Sequence, residues 1–266
     1  MSFLGNYFNF AGINSKDFGL KIVSINGNLT DIPSGSGYEY QTVSAIRNPK
    51  KLFLGLKESN TLEFQIEIVS EIPIDLPTFL RIKHWLFGNF GYQKLQIESE
   101  WYEDFYFNCL LKPTEDIKFG GECFGIRCTV ECDSPYAYTF PTTKIYTFDS
   151  SIMNPFEFDN LSAEIYGLRP IMEFKLSKSG KDFKIANLKT NRTFEMTGLS
   201  PHEVIIVDNQ NEIITSSTEL NRFKNLSRGR NQGYLSFAHG VNKFECYGYA
   251  EYLKITYQFA VRLGGG

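Results

Sequence analysis

Three histidines, five cysteines and two clusters of charge are the residues of this chain whose types could do chemistry. His84, His202 and His239 lie far apart, with no cysteine or carboxylate beside them at ligand or relay spacing. Each reads as a surface or helix-face histidine rather than a metal ligand or a general base. The cysteines are Cys109, Cys123, Cys128, Cys132 and Cys246, and the one cluster among them has the spacing Cys123-x4-Cys128-x3-Cys132. Strand alternation sends Cys123 to the face opposite Cys128 and Cys132, and no Cys-x2-Cys pair exists to grip an ion. Small buried hydrophobes are the expectation, with no metal. Glu98, Glu100, Glu103 and Asp104 surround Trp101, a carboxylate–aromatic grouping that glycoside hydrolysis could use. The solvent faces of strands carry carboxylates just as readily, and that plainer reading is preferred. Arg222, Lys224, Arg228 and Arg230 form a basic stretch that suits either an acidic partner surface or a solvated loop. No phosphate-cradling glycine motif, nucleophile elbow or His-Glu-x-x-His helix occurs. Neither catalysis nor a cofactor is expected.

The elements that would position these groups are mostly strands. Residues 61–68 alternate strictly, with Leu62, Phe64, Ile66 and Ile68 on one face and polar groups on the other. Further strands are expected at 94–99, 101–111 and 121–132, with a turn around Lys112 to Glu115. One helix is credible over residues 75–88. Asp75 can cap it, Pro77 is tolerated in its first turn and Gly88 closes it. Its apolar stripe of Leu76, Phe79, Leu80, Ile82, Leu86 and Phe87 is wide enough to lie on a sheet. Residues 26–50 break the alternation with Asn-Gly, Pro and Gly signals and read as a long exposed loop or hairpin arm, followed by apolar Phe53, Leu54 and Leu56. Beyond a seam at residues 133–150, marked by Pro135 and Pro141, seven or eight short strands with turns about every ten residues describe an antiparallel sandwich. They are expected at 171–177, 183–187, 193–197, 203–208, 212–215, 234–237, 242–247 and 253–259.

The whole chain has 266 residues, enough for two domains, here 1–138 and 139–266. Aromatics reach 15%, nearly all Phe and Tyr, which favour strands. The net charge of −3 selects neither nucleic acid nor anionic membrane as a partner, and no run of about 18 apolar residues spans a bilayer. The charge is uneven: residues 1–138 carry 12 basic and 17 acidic groups. The first residues do not read as a signal peptide, so reduced thiols are expected.

Several segments, in order, resemble the distal tail proteins of siphophages, relatives of tail tube proteins. They are residues 8–20 (FNFAGINSKDFGL), 101–107 (WYEDFYF), 131–136 (ECDSPY), 185–199, 207–209 and 234–244. The resemblance implies a mainly β protein. Its N-terminal domain would be a tail-tube-like β-sandwich or split barrel with one α-helix, and its C-terminal domain a galectin-like antiparallel β-sandwich. It also implies a structural virion protein at the tail tip, made in the host bacterial cytoplasm. Six copies would form a homo-hexameric ring joining the tail tube protein above to a tail-associated hub protein below, with receptor-binding proteins as further partners. DNA would pass through its channel without specific binding, and no membrane is involved. The alternative is a host cell-wall carbohydrate-binding adsorption module. Against it, Trp85 and Trp101 both lie in the first domain, leaving Tyr234, Tyr247 or Tyr249 as platforms in the second. Two expectations about the ring follow from the residues themselves. Thr30, Pro33, Gly35 and Gly37 lie on a loop that reaches a neighbouring subunit. Glu63 and Glu67, on the exposed face of a core strand, are candidates to line an acidic lumen that repels DNA from its wall.

Overall fold

The computed structural model describes residues 5–25, 38–44, 50–58, 61–100, 102–148 and 153–263. The chain divides into two compact units, one reaching to Thr139 and including the chain end from Val261, the other Phe140–Ala260.

In the first unit, alternation decides which side of each strand is buried. β1 (Phe8–Phe10) buries both phenylalanines and turns Asn9 outward. After β2 (Ile13–Asn14) and a 3-10 turn, Gly19 adopts a left-handed φ of 63° that lets the chain reverse into β3 (Leu20–Ile25). β4 (Tyr38–Ser44) and β5 (Lys51–Glu58) pair with each other and with no other strand among the described residues. β6 (Glu63–Ser70) sends Phe64, Ile66 and Ile68 into the core, as its sequence pattern requires. With β7 (Gln93–Ile97), β8 (Phe105–Phe119) and β9 (Glu122–Cys132), the sheet runs β2-β1-β7-β8-β9-β6-β3, and β10 (Ala137–Thr139) joins the start of β8.

The turn expected at Lys112 to Glu115 is instead the middle of β8. Pro113 stays in the strand at a register shift, where its missing N–H interrupts the ladder without ending it. The reversal comes at Gly120 and Gly121, whose φ values of 59° and 88° suit a tight hairpin.

The helix α1 (Leu76–Phe87) forms as expected, with the Asp75 carboxylate accepting from Thr78 N at 2.8 Å. Trp85 fastens it: its indole lies parallel to Phe8 and Phe18, with centroids 5.7 and 5.1 Å away, and Nε1 donates to Phe10 O at 2.9 Å. Phe79, Ile82 and Leu86 join Trp85 in the core, but Leu76 and Leu80 stay outside it.

The second unit is a sandwich. One sheet runs β11-β19-β13-β16-β17, from β11 (Thr142–Thr147), β13 (Ile171–Leu176), β16 (Val204–Asp208), β17 (Ile213–Ser216) and β19 (Ala250–Tyr257). The other runs β12-β18-β14-β15, from β12 (Met153–Asn160), β14 (Phe183–Asn187), β15 (Arg192–Met196) and β18 (Gly240–Tyr247). Their inner faces share one aromatic core, in which Phe174 stacks on Phe183 at 3.8 Å and Phe156 on Phe244 at 4.9 Å. Residues 234–237, expected as a strand, contribute only an isolated bridge from Phe237 to Leu168. β11, which the sequence reading missed, is almost wholly solvent-exposed, so it has no buried alternation to announce it.

Candidate functional site

Of the residues whose types could do chemistry, Cys109 and Cys132 lie opposite each other on β8 and β9. His84 is exposed in the last turn of α1, His202 Nδ1 lies 3.3 Å from Glu251 Oε1, and His239 Nδ1 lies 3.1 Å from Ser162 O. Cys109, Cys128, Cys132 and Cys246 are buried and Cys123 is half-buried. Burial pushes the Cys128 and Cys132 thiols up to about 12, so they stay protonated and inert. No group of three or more His, Cys, Asp or Glu among the described residues is arranged to hold a metal ion. In the acidic cluster, Glu98 bonds Lys16 and Asn14, which hold its carboxyl below the usual range. Trp101 and the loop residues Thr30, Pro33, Gly35 and Gly37 lie outside the described residues.

What the first unit does present is two surfaces. The first is the solvent face of β6, β9 and β8. The register puts Glu63 beside Glu131, Gln65 beside Thr129, and Glu67 beside Arg127. Arg127 bridges Glu67 and Glu115 at 2.7 Å each, and Lys112 pairs with Glu131. Four carboxylates against two cations therefore share one continuous polar face, with Glu63 and Glu67 both on it.

The second surface mixes apolar and charged groups. A groove of about 620 Å³ runs between α1 and the β8–β9 hairpin, lined by Leu76, Phe79, Leu80 and Cys123 together with the charged Asp75, Lys83, Asp116, Lys118 and Glu122. The Lys83–Asp116 ion pair at 2.8 Å ties the helix to the hairpin. Ile72 borders it in sequence, and Phe119, 81% exposed, stands at the hairpin tip. The β4–β5 ribbon adds Leu52, Phe53 and Leu54, which are 55%, 60% and 63% exposed. Monomeric surfaces rarely gather large apolar side chains in this way, and such patches mark interfaces.

Exposed apolar side chains beside a polar sheet face suit a component that assembles with others. Two family models match the chain: a phage tail protein N-terminal domain over residues 3–134 and a phage tail C-terminal domain over residues 136–259. The chain belongs to this phage tail protein family. Its fold is also that of the Dit protein of phage SPP1, whose crystal structure is described as a paradigm of the hub adsorption apparatus in phages that infect Gram-positive bacteria. The TM-score is 0.71 at 10% identity, over 96% of this chain and 99% of that one. No curated protein matches the sequence.

In the second unit of this phage tail protein, the basic stretch does not behave as one surface. Arg222 is 3% exposed and grips Glu203 with two hydrogen bonds of 2.7 Å. Arg228 instead stacks over Phe223 at 3.9 Å, at the surface. Of the tyrosines that could serve as sugar platforms, Tyr234 donates to Glu212 O, Tyr247 bonds Glu245 and is covered by Lys184 at 5.4 Å, and Tyr249 is exposed. The groove was the feature that sequence reasoning missed, whereas the β4–β5 ribbon overlaps the hairpin arm expected over residues 26–50 and the apolar residues after it. The only signals were apolar residues that looked like core and a phenylalanine beside two glycines.

Proposed function

We propose that this phage tail protein forms a hexameric ring at the distal end of the tail, joining the tail tube to the tail-tip hub and leaving a channel for DNA. Its role is structural rather than enzymatic. The observation that carries the reading is the division of labour in the first unit, where one face of the sheet is polar and acidic while apolar groups gather at the groove and the ribbon. A subunit of a water-filled ring needs both kinds of surface, one to line the channel and one to bind its neighbours. Membership in a phage tail family and the fold shared with a hub protein support the same role. The residue assignments belong to this proposal: Glu63 and Glu67 face the lumen, and the loop bearing Thr30, Pro33, Gly35 and Gly37 reaches a neighbour.

Partners under this reading are five further copies, a tail tube protein, a hub protein and receptor-binding proteins. Native mass measurement of the purified chain tests it, and six copies or a multiple of six are expected. A stable monomer across the micromolar range would remove the ring.

A further inference from the structure

We propose that the β4–β5 ribbon of one copy lies in the groove between α1 and the β8–β9 hairpin of the next copy. This inference rests on the ring reading for the presence of a second copy beside the first. A two-stranded ribbon is at best marginally stable alone in water, and this one pairs with no other strand among the described residues. Val43 and Leu52 are cross-strand partners on one face, the adjacent pair of Thr42 and Phe53 lies on the other, and Leu54 falls at the register shift beside Phe53. Apolar groups on both faces require cover on both. The groove offers a lining of the same chemistry in Leu76, Phe79 and Leu80, with Phe119 standing at the hairpin tip.

Charge selects a second copy of this chain as the occupant. Between Glu39 and Glu58 every charged residue is basic: Arg47, Lys50, Lys51 and Lys57. With the ribbon's residues set aside, positions 1–138 hold eight basic and fifteen acidic groups, so a basic arm faces an acidic body. At the groove, Asp75, Asp116 and Glu122 stand against Lys83 and Lys118, which leaves one excess negative charge in the lining. Arm and groove are also different patches of one subunit. A contact between them is head-to-tail, the type that closes into rings rather than two-fold dimers.

The test uses the full chain with Leu54→Cys in the ribbon, combined with Leu80→Cys on the groove wall. Under mild oxidation, interchain disulfides between positions 54 and 80, identified by peptide mass spectrometry, are expected to give a ladder up to the ring. Leu54→Cys alone is expected to link to the native Cys123 in the same groove. Separately, Lys51→Glu should raise the concentration for half-assembly roughly fivefold, and adding Glu122→Lys should restore it. Intact hexamers with neither crosslink overturn the docking and leave the ring standing. Crosslinked assemblies of another size keep the docking and remove the sixfold reading. Monomers without crosslinks, or crosslinks only within one chain, overturn the contact between copies.

Discussion

At the scale of single residues, the Glu203–Arg222 pair is the most consequential polar contact in the protein. Burial works to raise the pKa of Glu203, but the Arg222 guanidinium, the Ser216 hydroxyl and the Ser200 N–H outweigh it and hold the carboxyl at about 2. Arg222 also reaches Gly198 O and Ser200 Oγ, so one guanidinium closes the loops on either side of β16 and β17. Arg222→Ala would strand a buried carboxylate, a loss on the order of 3–5 kcal/mol, visible as early melting of the second unit in calorimetry. The pH dependence has a definite sign. A carboxyl near 2 in the folded state and roughly 4.3 when unfolded contributes stability above about pH 4.3 and loses it as pH falls toward 2. Glu203→Gln should therefore be less stable than the parent at pH 7, with the gap closing between pH 4 and 2; a gap constant over that range would show that the charge is not the source. None of this was legible beforehand. Arg222 sits among Lys224, Arg228 and Arg230 and reads as loop, because the partner that buries it lies 19 residues away and carries no local mark.

Most elements were legible where one face is buried and the other wet, although β12, with the same alternation, was not expected. β6 and β9 show this alternation, and α1 shows its cap and its closing glycine. Reading failed where the signal served another purpose. Pro113 looked like a turn but marks a shift in register, and Leu76 and Leu80 looked like core but line the groove. The pairing of β9 with β6 has its own requirement at Gly125, where a Cβ would lie 2.0 Å from Ile68 O and 2.9 Å from Val69 Cα. No rotamer can relieve a clash with backbone, so β6 and β9 would have to separate. Gly125→Ala is expected to cost about 1–3 kcal/mol, read as a lower urea midpoint. Thr129→Ala, on the solvent face of the same strand, should stay within about 0.5 kcal/mol. Equal effects at the two sites would mean that the close approach carries no weight.

For the whole molecule, the question is what a ring built from this unit presents to DNA. The polar face of β6, β9 and β8 carries Glu63, Glu67, Glu115 and Glu131 against Lys112 and Arg127. Both cations are engaged by carboxylates of that same face, so neither is left to hold a phosphate. Repeated sixfold around a lumen, the face would repel a polyanion from every side and let duplex DNA move without sticking. The acids were legible as the outward members of an alternating strand, but their partners were not, because cross-strand register is absent from local sequence. Purified rings should accordingly show little affinity for duplex DNA even at low ionic strength. Glu63→Lys together with Glu131→Lys turns two excess acids per subunit into two excess bases. That variant should acquire DNA binding that weakens steeply as salt is added, since each neutralised phosphate releases condensed counterions. Tight, salt-sensitive binding by the parent ring, or no gain in the doubly substituted one, would place this face away from the channel.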